Sequence, residues 1–198
     1  MGLLAKLSQR IGNDLVRSNV IEADDAEIYI YGINQILVSV INVSSALIIG
    51  LLFGTILEIV VFMAAYIPLR SFAGGFHAKT PLRCYIYSLI MLIIVSMGLK
   101  YLHIEIWGYY AVLSASVLIV LALSPVEDKN KPLDDLEYKV YKKRAIIIAA
   151  VELVISVLLK LIGLDNLFIA VVYSFVVLGF MLIIGAAKNA LEAKNTPD

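Results

Sequence analysis

The chain of 198 residues has a single Cys and two His, and the Cys and one of the His fall in the segment from Pro68 to Cys84. That segment also holds the adjacent Gly74 and Gly75 and two of the chain's five Pro. Thr80-Pro81 reads as a helix start, with Thr as N-cap and Pro at the first helical position. Cys84 then occupies the fourth helical position. The positive end of the helix dipole, with Lys79 and Arg83 beside it, favours a thiolate there, the nucleophilic form of Cys. His77 precedes Cys84 by two turns of a continuous helix, about 10 Å, too far for a hydrogen bond. Gly74-Gly75 and Pro81 argue against such a helix. A chain that turns at Thr80 can bring His77 back over the helix start, where the imidazole takes the thiol proton. Backbone amides at the helix start would then hold the developing oxyanion. The plainer alternative is a small buried Cys and an interfacial His.

The rest of the chain must position this segment. Hydrophobic residues make up 61% and charged residues 16%, with a mean hydropathy of +0.92. A soluble domain of this size cannot hide so much apolar surface, which argues against a soluble enzyme, a nucleic-acid binder or a disordered chain. An all-α, polytopic membrane protein fits. Uncharged stretches give about six transmembrane helices, near 30–52, 55–69, 82–99, 106–124, 144–162 and 166–187, with a tight turn at Gly50 and Gly54 between the first two. The whole reads as one integral membrane domain: an N-terminal amphipathic segment 1–27, spans over 30–187 and a tail 188–198. The charged stretch 125–144 reads as a loop.

Of the 16 Lys and Arg, only Lys100 and Lys160 fall in the loops opposite the other fourteen. By the positive-inside rule this puts both termini, the reactive loop between helices two and three, and 125–144 in the cytoplasm. Lys6, Arg10 and Arg17 interrupt any signal-peptide core. Leu3, Leu4, Leu7, Ile11 and Leu15 instead recur at helical spacing, as in a helix lying on the inner leaflet or packed on the domain.

Polar residues inside spans face the bundle interior or a cavity. Gln35 and Asn34 lie near the cytoplasmic end of the first span, at about the depth of Cys84. Gln35 shares a stripe with Asn42 and is a candidate third residue to orient His77 or bind the oxyanion. Interhelical hydrogen bonding is the competing role, and it is also the one expected of Glu152. No cofactor and no metal are expected, since neither clustered Asp or His nor several Cys occur. A six-helix transporter or permease using Gln35, Asn42 and Glu152 is the alternative function, but no paired broken helices support it.

Arg70, Gly75, His77 and Cys84, in a membrane protein of this length with an amphipathic N-terminus, resemble the pattern of the AgrB family (accessory gene regulator protein B). These are membrane peptidases that process autoinducing-peptide precursors in Gram-positive quorum sensing. The resemblance implies a cysteine endopeptidase with Cys84 as nucleophile and His77 as base, Arg70 and Gly75 bordering the site, and a homodimer. It implies an AgrD-type propeptide as substrate, with an amphipathic helix and an acidic tail. Cleavage would remove the tail, leave a thioester on the enzyme and allow closure to a thiolactone or lactone. Arg70, Lys79 and Arg83 would attract the acidic tail, although basic residues here also enforce topology.

Overall fold

The computed structural model describes residues 3–76, 78, 80–127 and 133–194. Among these residues the chain forms seven α-helices and no strand. It divides into two compact units, residues 1–48 and 49–198.

The first unit holds α1 (Leu3–Arg17), a 3-10 turn (Ala23–Asp25) and most of α2 (Ala26–Phe53). The helical spacing of Leu and Ile near the N-terminus does produce a helix. Small residues make its close contact: Ser8 and Gly12 are buried, and a Cβ on Gly12 would run into the Ile30 side chain of α2. Leu7 and Ile11 stay exposed, while Lys6, Gln9, Arg10, Asn13 and Arg17 line a shared polar surface.

The second unit holds α3 (Ile56–Ala73), α4 (Pro81–Tyr101), α5 (Ile106–Leu123), α6 (Asp135–Leu161) and α7 (Asp165–Lys194). Helix α7 is its hub, packing against each of the other four. Its Phe168, Val171, Val172, Phe175, Leu178 and Leu182 are all essentially inaccessible. They meet a buried stripe on α3 (Ile59, Phe62, Ala65, Leu69, Ala73) and one on α5 (Tyr109, Leu113, Ser116, Val120). Both stripes repeat at three or four residues, as one helix face requires. The buried face of α6 is Ala145, Ala149, Glu152 and Ser156, mostly small residues that let backbones approach closely. Helix α4 is different. Only Leu92, Val95 and Ser96 are buried, and most of its Ile side chains lie open, as lipid-facing residues do.

Among the described residues five helices are long and apolar enough to cross a membrane: the one ending at Phe53, α3, α4, α5 and α7. The expected span over 144–162 falls in α6, where Arg144, Glu152 and Lys160 break the apolar run. This is a multi-pass, all-α membrane protein. Two sequence-based boundaries need correction. Helix α6 starts at Asp135, because Asp134 and Glu137 form a capping box; Lys139, Lys142 and Lys143 therefore ride on its first turns and not on a loop. Helix α3 runs through Pro68 to Ala73, although proline removes one helical hydrogen bond.

Candidate functional site

The chain leaves α3 through two glycines that no other residue could replace without strain. Gly74 has φ +71° and Gly75 φ +119°, both in the left-handed region that side chains disfavour. Arg70, on the last turn of α3, closes back over them. Its Nη1 donates to the Gly74 carbonyl at 2.5 Å, and its Nη2 donates to the Phe76 carbonyl. The guanidinium fork thus holds two carbonyls of one short strap.

Other elements hold the same strap. Gly75 N–H donates to Val126 O at 3.1 Å, Val126 N–H to Ala73 O at 2.9 Å, and Phe76 N–H to Met181 O on α7 at 3.0 Å. There is no room for side chains along this path. A Cβ on Gly74 would collide with Val126 O, and one on Gly75 with Arg70 Nη1. From the other side, a Cβ on Gly185 of α7 would come within 2.8 Å of Gly75 C and Phe76 N. Asn189 of α7 adds a hydrogen bond to Glu127 O at 2.8 Å, fixing the 126–127 chain against the same helix.

Beyond the strap, Thr80 caps α4. Its Oγ1 accepts from Arg83 N–H at 3.4 Å and its carbonyl from Cys84 N–H at 3.0 Å. Pro81 has no N–H to satisfy. Among the described residues this leaves the Leu82 N–H as the unclaimed donor of the first turn. Cys84 is exposed, and its carbonyl accepts from Ser88 Oγ at 3.0 Å. An exposed thiol at a capped helix start can reach a peptide carbonyl, so the small-buried-hydrophobe alternative does not describe Cys84.

Of the residues singled out from sequence, Arg70, Gly75, Arg83 and Cys84 belong to this end of α3 and α4. His77 and Lys79 lie outside the described residues. Gln35 is exposed on α2, in the first unit, whereas Asn34 and Asn42 are half-buried. Arg83 is exposed. Arg70 makes intramolecular hydrogen bonds to the strap. Sequence reasoning missed Tyr66, which lies one turn before Arg70 on α3 and stacks on Phe62 with ring centroids 5.4 Å apart. Its position four residues before Arg70, on the same helix face, was the available signal. It also missed Val126, Met181 and Gly185, whose distance in sequence hides their contact with the strap. Among the described residues no three of His, Cys, Asp and Glu are grouped to hold a metal ion.

Comparison with known proteins adds an independent line. No solved structure matches the chain. The chain is similar to the protein FsrB of Enterococcus faecalis, at 28% identity over 153 residues, covering 76% of this chain and 61% of FsrB. A putative AgrB-like protein of Clostridium perfringens is 28% identical over 164 residues, covering 78% and 75% of the two chains. The accessory gene regulator protein B of Staphylococcus haemolyticus is 29% identical over 111 residues, covering 56% and 58%. The family model described as accessory gene regulator B matches residues 8–184, and the chain belongs to that family.

Proposed function

We propose that this protein is a membrane-embedded cysteine endopeptidase that processes an AgrD-type propeptide into a cyclic autoinducing peptide. The observation that carries the reading is Cys84, an exposed thiol at the capped start of α4, beside a strap fixed by Arg70 and Gly75. Family membership gives the reading its substrate class.

The thiolate of Cys84 attacks the scissile carbonyl, and the Leu82 N–H is the available donor for the oxyanion. His77 accepts the thiol proton and returns it to the leaving amine, so the C–N bond breaks and the acidic tail departs. The peptide remains as a thioester. An internal thiol or hydroxyl of the peptide, giving its proton to His77, then attacks that thioester, closes the ring and frees the Cys84 thiolate. Because the bond energy is kept in the thioester, ring closure is an exchange and needs no further energy source. Arg83 and Lys79 attract the tail, and Arg70 and Gly75 position the strap. With α6 as a sixth crossing, the distribution of Lys and Arg supports both termini in the cytoplasm, and the homodimer is what the resemblance to the AgrB family implies.

The test is to co-express the protein with the product of a neighbouring short reading frame that encodes an amphipathic helix, a Cys or Ser and an acidic tail. Mass spectrometry follows cleavage. Wild type should remove the tail. Cys84→Ala should lose at least about a thousand-fold in rate, and His77→Ala about a hundred-fold or more. Tail removal by Cys84→Ala at the wild-type rate would reject the peptidase reading.

A further inference from the structure

Helices α4 and α7 run antiparallel: Phe76, just before α4, bonds to Met181 late in α7, while Gly98 near the end of α4 lies against Tyr173 in the first half of α7. Between them is a groove of about 500 Å³, lined by Phe76, Tyr87, Met91, Val95, Val177 and Met181 among others, with no charged residue among the described residues of its wall. Tyr87, Met91 and Val95 follow Cys84 at the three- and four-residue steps that keep to one helix face. The groove therefore opens one turn beyond Cys84 and extends about 12 Å along α4. At its mouth the rings of Phe76 and Tyr87 are 6.1 Å apart, and Lys188 Nζ sits 5.6 Å from the centre of the Phe76 ring.

We propose that this groove receives a large apolar side chain, of the Phe, Leu, Ile or Met kind, from the residue that donates the acyl group to Cys84. The proposal rests on the peptidase reading and adds a specificity site to it. Two features select this occupant. The groove continues the face of α4 that carries the nucleophile, so a side chain next to the attacked carbonyl has a direct path into it. Its chemistry also fits: a wall without charge among the described residues penalises a charged acyl-side residue. The acyl side is the one that needs holding. The thioester must stay in place until the ring-forming nucleophile attacks, but the tail leaves when its bond breaks. A lipid chain is the rival occupant, and it would be indifferent to the chemistry at Cys84.

Full-length protein in lipid nanodiscs can be treated with the chloromethyl ketones of N-acetyl-Phe, N-acetyl-Ala and N-acetyl-Asp. The Cys84 sulfur displaces chloride and forms a thioether, and peptide mapping with a Cys84→Ala control assigns the added mass to Cys84, the chain's single Cys, as against a His imidazole. The Phe reagent should label about ten-fold faster than the Ala reagent, with Asp slowest. Val177→Trp, which fills the groove, should bring the Phe-to-Ala ratio within about two-fold while leaving the iodoacetamide rate unchanged. Val177→Ala enlarges the groove and should shift the best reagent from Phe to Trp, which keeps the test open if the Trp variant does not fold. A ratio near one in wild type overturns the proposal. So does a ratio that neither variant alters, which would assign the preference to membrane partitioning or to a lipid in the groove. Propeptide cleavage that needs Cys84 but ignores acyl-side size removes this subsite and leaves the peptidase. Cleavage by Cys84→Ala removes the peptidase reading itself.

Discussion

The strap after α3 and the first turn of α4 stand on either side of residues 77–79, and they are fixed in opposite ways. The strap is bonded to Arg70, to Val126 and to Met181, so that three separate parts of the chain hold three residues of backbone. The start of α4 is held by its own Thr80 cap, and its Pro81, Leu82, Arg83 and Cys84 are all exposed. The difference assigns the two halves different work. A reacting group is useful only when its approach is fixed to within a fraction of an ångström, and rigid neighbours supply that. A nucleophile that must meet a long peptide needs open surroundings. Here the backbone leading to the proposed base is rigid, and the proposed nucleophile is accessible.

The sharpest way to break this contrast is to push on the strap without touching α4. Gly75→Ala puts a side chain at φ +119° and against Arg70; Gly185→Ala presses on the same backbone from α7. Both should lower propeptide processing by about 10–100-fold, as misplacement of a catalytic group does. Iodoacetamide labelling of Cys84 should slow near neutral pH, where the thiol depends on His77, and match wild type at high pH, where it ionises unaided, since α4 itself is unaffected. If Gly185→Ala processes normally, the strap does not depend on α7 as described.

A smaller effect is expected from Arg70→Lys. Lysine keeps the charge but cannot fork across the Gly74 and Phe76 carbonyls. Losing one such bond costs about 1–2 kcal/mol locally, or about ten-fold in processing. Full activity in Arg70→Lys would show that charge alone suffices and would favour attraction of an acidic tail over positioning.

The smallest effect should come from the open side. Thr80→Ala removes the cap of α4, for which caps typically contribute about 1 kcal/mol, and the 3.4 Å contact places it at the lower end. Amide exchange at Arg83 and Cys84 should quicken, while exchange at Gly75 and Phe76 should not change. Faster exchange at both places would mean that strap and helix start act as one body.

The separate visibility of these parts in the sequence has a physical basis. Thr80-Pro81 and the position of Cys84 were legible because a helix start is a local motif. The spans were legible from charge-free length, and Arg70 and Gly75 stood out through the family pattern. Three things were not legible. The entry of α6 at Asp135 looked like a charged loop, because a capping box and a basic surface helix resemble a loop in composition alone. The end of α3 was placed before Pro68's turn was complete, because surrounding packing carries the helix past a residue that locally opposes it. The anchoring of the strap by Val126, Met181 and Gly185 lies far along the chain, where no local spacing can report it. The family pattern points to Arg70 without its contacts, which are those of a clamp on backbone.

The account stands or falls on whether Cys84 carries the peptide as an acyl-enzyme. The most direct measurement is the intact mass of the enzyme after incubation with a propeptide whose own ring-forming Cys or Ser is replaced by Ala. The account predicts that the tail is released, that the enzyme gains the mass of the remaining peptide, that peptide mapping places the addition on Cys84, and that hydroxylamine removes it. Tail release without any adduct, or an adduct that persists in Cys84→Ala, would contradict it.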